Sequence, residues 1–266
     1  PTEWVAKFMG ATKHTPFSRL KSIYADITGE EARAKGYVTG ARKAEEVFRL
    51  LNRTTDPTTV YKKQKLDRDD IVDITSFDVV AWLKTEMRGM LDEELARAYL
   101  VGDGRVAGSE DKIDESCIRP IWTDNDLFTI HKGVVIPEGA SEDARAKAII
   151  RAAIKARKDY KGSGNCTFFT TEDMLTDMLL IEDGMGHRLY KTEAELATAL
   201  RCTKIVSVPV MENLSREVTV SGSVQTRNLM GIIVNLSDYN VGADKGGAVN
   251  MFDDFDIDFN QYKYLI

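Results

Sequence analysis

The feature that most constrains this chain is a run of apolar residues with helical spacing between positions 79 and 98. The apolar side chains recur at steps of three and four residues, so they form one stripe along a single long helix. The stripe consists of Val79, Val80, Leu83, Met87, Met90, Leu91, Leu95 and Ala98. Thr75 or Ser76 is a candidate N-cap, and Gly102 is a candidate residue for the helix end. At ~1.5 Å per residue the helix is about 37 Å long, so we expect it to organise the layout of the chain.

The segment before this helix, residues 36–73, has few side chains that can be buried. Asp56-Pro57 predicts a turn between β-branched threonines, and residues 60–66 have the composition of a strand. The side chains are mostly polar on both faces, so the segment is predicted to form a long two-stranded excursion. Such a hairpin is marginally stable by itself, and we expect it to lie on a neighbour.

The first 35 residues contain two apolar clusters but no long amphipathic element. The first cluster is Trp4, Val5, Phe8 and Met9, and the second, at near-helical spacing, is Phe17, Leu20, Ile23, Tyr24 and Ile27. The pattern predicts an arm with short helical turns, too small to fold alone, that packs on something else. Residues 1–70 hold 14 Lys/Arg and 10 Asp/Glu in a chain of net charge −6. This basic portion is expected to meet an acidic surface, either nucleic acid or the acidic body of its own chain.

Residues 120–245 have the mixed pattern of an α+β domain. Strands are predicted at residues 126–136, 165–169, 204–211 and 231–236. Helices are predicted to follow the capping residues Ser141, Thr170 and Thr192.

The last residues, 248–266, alternate apolar and acidic side chains. Phe255, Ile257 and Phe259 are separated by acidic residues, namely Asp254, Asp256 and Asp258. The alternation predicts one long half-buried strand with an acidic face. We expect this strand to return beside the long helix, which makes the first domain discontinuous in sequence.

The sequence contains no motif that predicts an active site, a cofactor or a metal site. The carboxylate stripe of the tail could bind a hard cation, but a solvated strand face is the favoured interpretation. The charged run Asp67-Arg68-Asp69-Asp70 precedes the long helix, and salt bridges to a neighbour are favoured there over a catalytic pair. The glycines do not form a phosphate-binding frame. A triad assembled in space from distant residues stays open.

Composition and cysteine usage narrow the class of protein further. A hydrophobic share of 43% and a charged share of 29% are those of an ordinary globular chain, and they exclude a disordered or collagen-like protein. The three cysteines, Cys117, Cys166 and Cys202, are interpreted as reduced, buried side chains. The apolar runs are shorter than the roughly 18 residues that span a bilayer. The start lacks a signal-peptide layout and an initiator Met, so we expect a processing cut or a trimmed sequence.

The run from Thr59 to Ile74, followed by FDVVAWLKTEMRGMLDEELARAYLVGDG, resembles the major capsid proteins of tailed bacteriophages with the Hong Kong 97 fold. In that family an extended loop precedes a long spine helix, which often ends in a Gly-Asp-Gly turn, here Gly102-Asp103-Gly104. Further similar stretches are TFFTTEDML, TKIVSVPVM, GIIVNLSDYNVG and the closing FDIDFNQYKYLI. The resemblance spans the chain from about Phe17 to its end.

The resemblance implies an α+β fold of the Hong Kong 97 type with four parts. These are an N-terminal arm, an extended loop, a peripheral domain with the long spine helix, and an axial domain. In this sequence they correspond to residues 1–35, 36–73, 74–119 with the return strand 246–266, and 120–245.

The function implied is a structural subunit, not an enzyme, that assembles into an icosahedral phage head around double-stranded DNA. The implied partners are other copies in hexamers and pentamers, a portal, a scaffolding segment, a maturation protease and DNA bound without sequence preference, with no membrane and no cofactor. The expected location is the virion capsid, assembled in the host cytoplasm. An encapsulin-like shell around an enzyme cargo is the alternative, followed by a cytosolic hydrolase with a spatial triad. The candidate contacts between subunits are Lys62, Lys63, Lys65, Arg68, Asp69 and Asp70.

Overall fold

The computed structural model describes residues 3–15, 20–26, 49–73, 78–126, 128–137, 139–160, 162, 164–220, 222–243 and 249–266. Its α-helices are α1 Glu3–Ala11, α2 Arg68–Asp73, α3 Val79–Leu100, α4 Glu142–Ala156, α5 Glu172–Leu179 and α6 Glu193–Ala199. The strands up to the middle of the chain are β1 Lys13–Thr15, β2 Leu20–Asp26, β3 Arg49–Thr55, β4 Lys63–Asp67, β5 Thr167–Thr170 and β6 Lys204–Ser207. The remaining strands are β7 Ser215–Val220, β8 Ser223–Asn228, β9 Ile232–Val234, β10 Asn240–Gly242, β11 Phe252–Asp256 and β12 Gln261–Leu265.

The long helix predicted from the apolar stripe is α3, which has 22 residues. It begins later than predicted, because Asp78 and not Thr75 or Ser76 is its N-cap. The Asp78 carboxylate accepts a hydrogen bond of 2.9 Å from the backbone N–H of Ala81, which satisfies one of the free donors of the first turn. The predicted end is confirmed. Gly102 has a φ of +93°, the left-handed conformation in which glycine has no Cβ penalty, and its N–H donates to the Arg97 carbonyl.

The first half of α3 packs on the end of the chain. Leu83, Met87 and Leu91 form a buried cluster with Tyr264 and Ile266. The expectation that the tail returns beside the long helix is therefore confirmed. Strand β12 lies between β4 and β11 in an antiparallel sheet, with Tyr264 opposite Gln64 and Asp253.

The prediction of one long tail strand is wrong, because the chain reverses between β11 and β12. The turn contains Asn260 in the left-handed region, with a φ of +52°, which asparagine tolerates better than most residues. Of the three apolar residues that suggested alternation, only Phe255 lies in a strand, while Ile257 and Phe259 lie in the turn. The alternation of apolar and acidic side chains continues from β11 into the turn, and it therefore has the pattern of one longer strand.

The N-terminal arm packs partly on its own chain. Trp4, Val5 and Phe8 of α1 are buried in a cluster with Tyr99 of α3 and Phe169 of β5. The rings of Phe8 and Phe169 lie 5.9 Å apart at an edge-to-face angle. Strand β1 then pairs in parallel with β10. The first apolar cluster is therefore a piece of the hydrophobic core.

The second apolar cluster is a strand, so the predicted helical turns are wrong there. Residues Leu20–Asp26 form β2, which pairs with β3 in a two-stranded antiparallel hairpin. Hydrogen bonding across the hairpin overrides the weak helical spacing of this short segment. Phe17 and Ile27 lie outside the described residues. Strand β2, within the range predicted for the arm, therefore pairs with β3, within the range predicted for the extended loop.

The middle of the chain has the α+β pattern that its sequence predicts. Strand β5 lies between β6, its parallel neighbour, and β9, its antiparallel neighbour. Phe168 points to a core shared with α4, α5 and α6, while the next residue, Phe169, points to the core shared with α1 and α3. Alternation along one strand therefore joins two hydrophobic cores.

Three local predictions for this region are wrong in whole or in part. The predicted strand 204–211 is a strand only over Lys204–Ser207, because Pro209–Met211 form a 3₁₀ helix. The described residues between 126 and 137 form a turn followed by irregular chain and not a strand. His131 stabilises this loop, because its ring nitrogens lie 2.7 Å from an Asp126 carboxylate oxygen and 2.8 Å from the Trp122 carbonyl oxygen. Helix α5 is capped by Thr171, since the hydroxyl of Thr170 instead donates to the Met230 carbonyl across the sheet.

The turn after α3 is held by a buried carboxylate. The Asp103 side chain has no solvent exposure and accepts hydrogen bonds from the Lys112 ammonium at 3.1 Å and from the backbone N–H groups of Ile113 and Arg105. Burial alone raises the pKa of Asp103, but these donors outweigh it and hold the pKa below its ordinary value. The ionised carboxylate thus ties residues 102–113 to the end of the spine helix.

We predict that Asp103→Asn lowers the free energy of unfolding at neutral pH by about 1–3 kcal/mol, because an amide cannot replace a carboxylate bound by an ammonium. A depressed folded-state pKa adds stability above the unfolded-state value near ~3.9, and this contribution disappears as the pH falls through the folded-state pKa. Urea titrations at several pH values should therefore show the difference between wild type and variant shrinking in acid. A constant difference at every pH would contradict this role for the ionised carboxylate.

Candidate subunit interface

The sheet β11–β12–β4 has one face against α3 and a second face that points outward. Strand register places Lys63 and Lys65 of β4 beside Leu265 and Lys263 of β12 on the outer face. Because β-strand side chains alternate, Gln64 and Leu66 face the helix. The outer face is therefore a row of lysines next to the acidic strand β11.

The acidic side chains of β11 complement this row of lysines. Asp254 lies opposite Lys263 in the register, and the Lys263 ammonium forms an ion pair with Asp256. The hydrogen bond from Lys263 holds the pKa of Asp256 below its ordinary value. In the part of the chain that the structure describes, no group of three or more His, Cys, Asp or Glu side chains is placed to bind a metal ion. Within the stripe, Asp253 and Asp254 are exposed, whereas the Asp256 side chain is mostly covered by its ion pair with Lys263.

Large apolar side chains surround this charged face. Phe252 is 61% exposed, Ile257 83% and Phe259 67%. The Lys65 ammonium lies 5.8 Å from the centre of the Phe259 ring, within cation–π range. These three exposed apolar residues lie within eight sequence positions, in β11 and the turn after it. Clustered exposed apolar side chains of this kind mark interaction sites. We call the outer face of this sheet, with its β11–β12 turn, the outer sheet face.

The backbone of this region also has free edges. Among the described residues, β11 and β4 are the outer strands of the sheet, and β2 and β3 pair only with each other. Strand edges carry unpaired N–H and C=O groups that can pair with another chain. A two-stranded hairpin is only marginally stable in water.

The six predicted contact residues lie in one continuous stretch of chain, which begins at the residue before β4 and runs through β4 into α2. Lys63, Lys65, Arg68, Asp69 and Asp70 are exposed, whereas Lys62 is half-buried and its backbone pairs with Ile266. The Asn260 side chain lies 3.5 Å from an Asp69 carboxylate oxygen. Phe252, Ile257 and Lys263 belong to the same surface, whereas the alternation of the tail predicts that Ile257 lies on the apolar side of one half-buried strand. Asn260, a residue type that favours turns, was the sequence feature that could have indicated the reversal between β11 and β12.

A second feature, a groove of about 1980 Å³, tests the hydrolase alternative. It is lined by residues of α3, the loop that holds His131, and β8–β10. Both His131 nitrogens face acceptors, namely Asp126 and the Trp122 carbonyl, and neither has a hydroxyl or thiol nucleophile as its partner. Burial is the largest factor that raises the pKa of Cys117, another residue lining the groove, so its thiol stays protonated. The contacts of His131 therefore fit a residue that stabilises its loop, and they do not include the nucleophile that a catalytic base would activate.

No helix within the described ranges combines the length and apolarity that are needed to cross a bilayer.

No family model and no curated protein matches the chain. Its shape, however, matches solved structures over almost its whole length. A structure from Mycobacterium phage Ogopogo has a TM-score of 0.64 at 12% identity, with 98% of this chain and 84% of that chain covered. The capsid of the native GTA particle has a TM-score of 0.63 at 12% identity, with 98% and 83% covered. The mature capsid of bacteriophage PhiM1 has a TM-score of 0.54 at 13% identity, with 97% and 80% covered.

At such low identity the similarity establishes the fold, and it does so over 97–98% of this chain and 80–84% of the chains it matches. The chain has the α+β fold of the tailed-phage major capsid proteins, the Hong Kong 97 fold.

Proposed function

We propose that this protein is a major capsid subunit that assembles into an icosahedral head enclosing double-stranded DNA. The observation that carries the proposal is the full-length similarity to capsid structures from phage and GTA particles. The outer sheet face and the two-stranded β2–β3 hairpin add a physical reason, since both have surfaces or strand edges that a neighbouring copy could cover. The subunit has a structural and not a catalytic role, and it acts in the virion capsid after assembly in the host cytoplasm.

Within this proposal the chain is divided as the resemblance implies. The arm is residues 1–35, the extended loop 36–73 and the axial domain 120–245. The peripheral domain is 74–119 completed by 246–266. The packing of Tyr264 and Ile266 on α3 supports a peripheral domain made of two separate segments.

The contact partners are other copies of the chain in hexamers and pentamers. Lys62, Lys63, Lys65, Arg68, Asp69 and Asp70 are proposed to contact a neighbour, and the exposed charges beside apolar side chains resemble the mixed composition of protein interfaces. A portal, a scaffolding segment and a maturation protease are further proposed partners. DNA would be bound through its phosphates and without sequence preference.

Electron microscopy of purified, assembled material tests the function. Closed particles that protect DNA from nuclease are expected. Particles that contain a folded protein cargo and no DNA would favour the encapsulin-like alternative. Sedimentation as only monomers or dimers under every assembly condition would contradict the proposal.

The double variant Phe252→Ser/Phe259→Ser tests the outer sheet face. Burying a phenylalanine contributes about 1.5–3 kcal/mol, so loss of both, about 3–6 kcal/mol, is expected to weaken a subunit contact by about 10²- to 10⁴-fold. Particle yield, measured by sedimentation, should fall, while the circular dichroism spectrum and the thermal midpoint stay close to wild type because both side chains are exposed.

Met185→Ser is the matched control, because Met185 is 86% exposed and lies far along the chain in the turn after α5. It removes exposed apolar area without touching the sheet β11–β12–β4, and its particle yield should match that of wild type. If the double variant assembles as well as wild type, the outer sheet face is not a contact between subunits.

A further inference from the structure

Two of the three cysteines are neighbours in space although 35 residues separate them in sequence. Cys166 immediately precedes β5, and Cys202 lies between α6 and β6. The Thr203 N–H donates to the Cys166 carbonyl at 2.8 Å, so the two segments already run side by side. The two sulfur atoms lie 3.1 Å apart, with the Cys166 thiol donating toward Cys202. The prediction of buried thiols is confirmed for Cys166 and Cys202 and is wrong for Cys117, which is half-buried.

The surroundings of the pair are a packed core. Both cysteines belong to the cluster formed by α4, α5, α6 and one face of the β6–β5–β9 sheet. Cys166 is fully buried, and Cys202 is 8% exposed. The Cys166 thiol lies 3.4 Å from the Arg201 carbonyl oxygen, and the Cys202 thiol lies 3.7 Å from the Leu200 carbonyl oxygen, both as hydrogen-bond donors. Because these are weak hydrogen bonds, the polar surroundings would lose little if the thiol protons were removed.

We propose that Cys166 and Cys202 form an intramolecular disulfide when the protein meets a two-electron thiol oxidant of the small-molecule disulfide class. The sulfur atoms must approach by about 1 Å to reach the bond length of ~2.05 Å. Since the backbone of the two segments is already paired, this approach needs only small side-chain movements.

The reaction is a pair of thiol–disulfide exchanges. The Cys202 thiolate, the more exposed of the two, attacks one sulfur of the small disulfide and releases one small thiol. The Cys166 thiolate then attacks Cys202 in the mixed disulfide, forms the Sγ–Sγ bond and releases the second small thiol. Two electrons pass from the cysteines to the oxidant, and both protein protons end on the released thiols.

The same packing makes the reaction slow. Burial and the neighbouring Cys166 thiol raise the pKa of Cys202 to about 12, against a smaller opposing effect of the Arg157 guanidinium. Because the thiolate is the reactive form, little of it exists near neutral pH. The pair is therefore expected to remain reduced in a reducing compartment and to oxidise gradually outside it. In a shell subunit this would strengthen particles after release, but the chemistry itself does not depend on assembly.

The test treats purified wild-type protein with oxidised glutathione at mildly alkaline pH, then alkylates it with N-ethylmaleimide after denaturation. Mass spectrometry should show loss of two hydrogen atoms, a single label on Cys117, and a linked peptide pair containing Cys166 and Cys202. A disulfide across this loop length is expected to raise the thermal midpoint by roughly 10 °C, and dithiothreitol should reverse the shift. Three labelled thiols after prolonged treatment, a stable glutathione adduct, or a link to Cys117 would overturn the proposal.

Two variants sharpen the result. Cys117→Ala should keep the bond and the thermal shift, whereas Cys202→Ala should lose both. If Cys202→Ala fails to fold, the comparison of oxidised with reduced wild type still decides the outcome. An assembling protein without the bond would refute only this inference, and a non-assembling protein with the bond would refute only the capsid function.

Discussion

Leu91→Asp is expected to prevent the subunit from folding. Leu91 is buried in the middle of α3 in an apolar cluster with Tyr264 and Ile266, so an aspartate there would place a charge among apolar side chains. A buried unpaired charge costs more than about 5 kcal/mol, which is comparable with the ~5–15 kcal/mol by which a typical domain is stable. Leu83→Asp should have the same effect at the other end of the cluster. The soluble fraction after expression and the far-ultraviolet circular dichroism spectrum report the loss.

Ala81→Asp is the matched control, because Ala81 is exposed in the first turn of the same helix. It adds the same charge at a position where the helix dipole favours an anion. This variant should fold and unfold like wild type. A Leu91→Asp protein with a native spectrum and a cooperative melting transition would show that the spine helix does not need the tail packed on it.

Phe8→Ala is expected to lower the free energy of unfolding by about 3–5 kcal/mol, the usual cost of removing a fully buried phenylalanine. Phe8 has no solvent exposure, and its ring contacts those of Tyr99 and Phe169. The cavity would lie between α1, α3 and β5, where the two cores meet. Urea unfolding, followed by tryptophan fluorescence or circular dichroism, measures the change.

Lys7→Ala gives the comparison on the opposite side of α1. Lys7 is exposed and pairs with Glu3 at 2.6 Å, and such a solvent-exposed ion pair contributes little to stability. Its unfolding midpoint should therefore stay near wild type. If Phe8→Ala also unfolds at the wild-type midpoint, α1 is not part of the core of its own subunit in solution.

Much of the helical structure could be predicted from local signals. The apolar stripe from Val79 to Ala98 predicted α3, and Gly102 marked its end because a left-handed residue is needed there. The capping box at Thr192 also predicted α6: its hydroxyl accepts from the Glu195 N–H, and the Glu195 carboxylate accepts from the Lys191 N–H. These features depend on residues within one or two turns, so they can be found without knowing the fold.

The strands were predicted less well, because their partners are distant in sequence. Strand β4 pairs with β12, almost 200 positions later, and β1 pairs with β10. The alternation around Phe255 suggested one buried strand, but the reversal at Asn260 leaves Phe259 exposed. Whether an apolar side chain is buried depends on what lies opposite it, and that is decided by pairing rather than by local pattern.

By itself the sequence determined the elements whose stabilising contacts are local, and it carried the resemblance to the capsid fold. Only the tertiary structure decided which apolar residues form the core, which form the outer sheet face, and that Cys166 lies beside Cys202. The physical reason is that helix caps and helical stripes are stabilised by neighbours in sequence. Sheet faces, aromatic clusters and thiol pairs instead require segments far apart in the chain to meet.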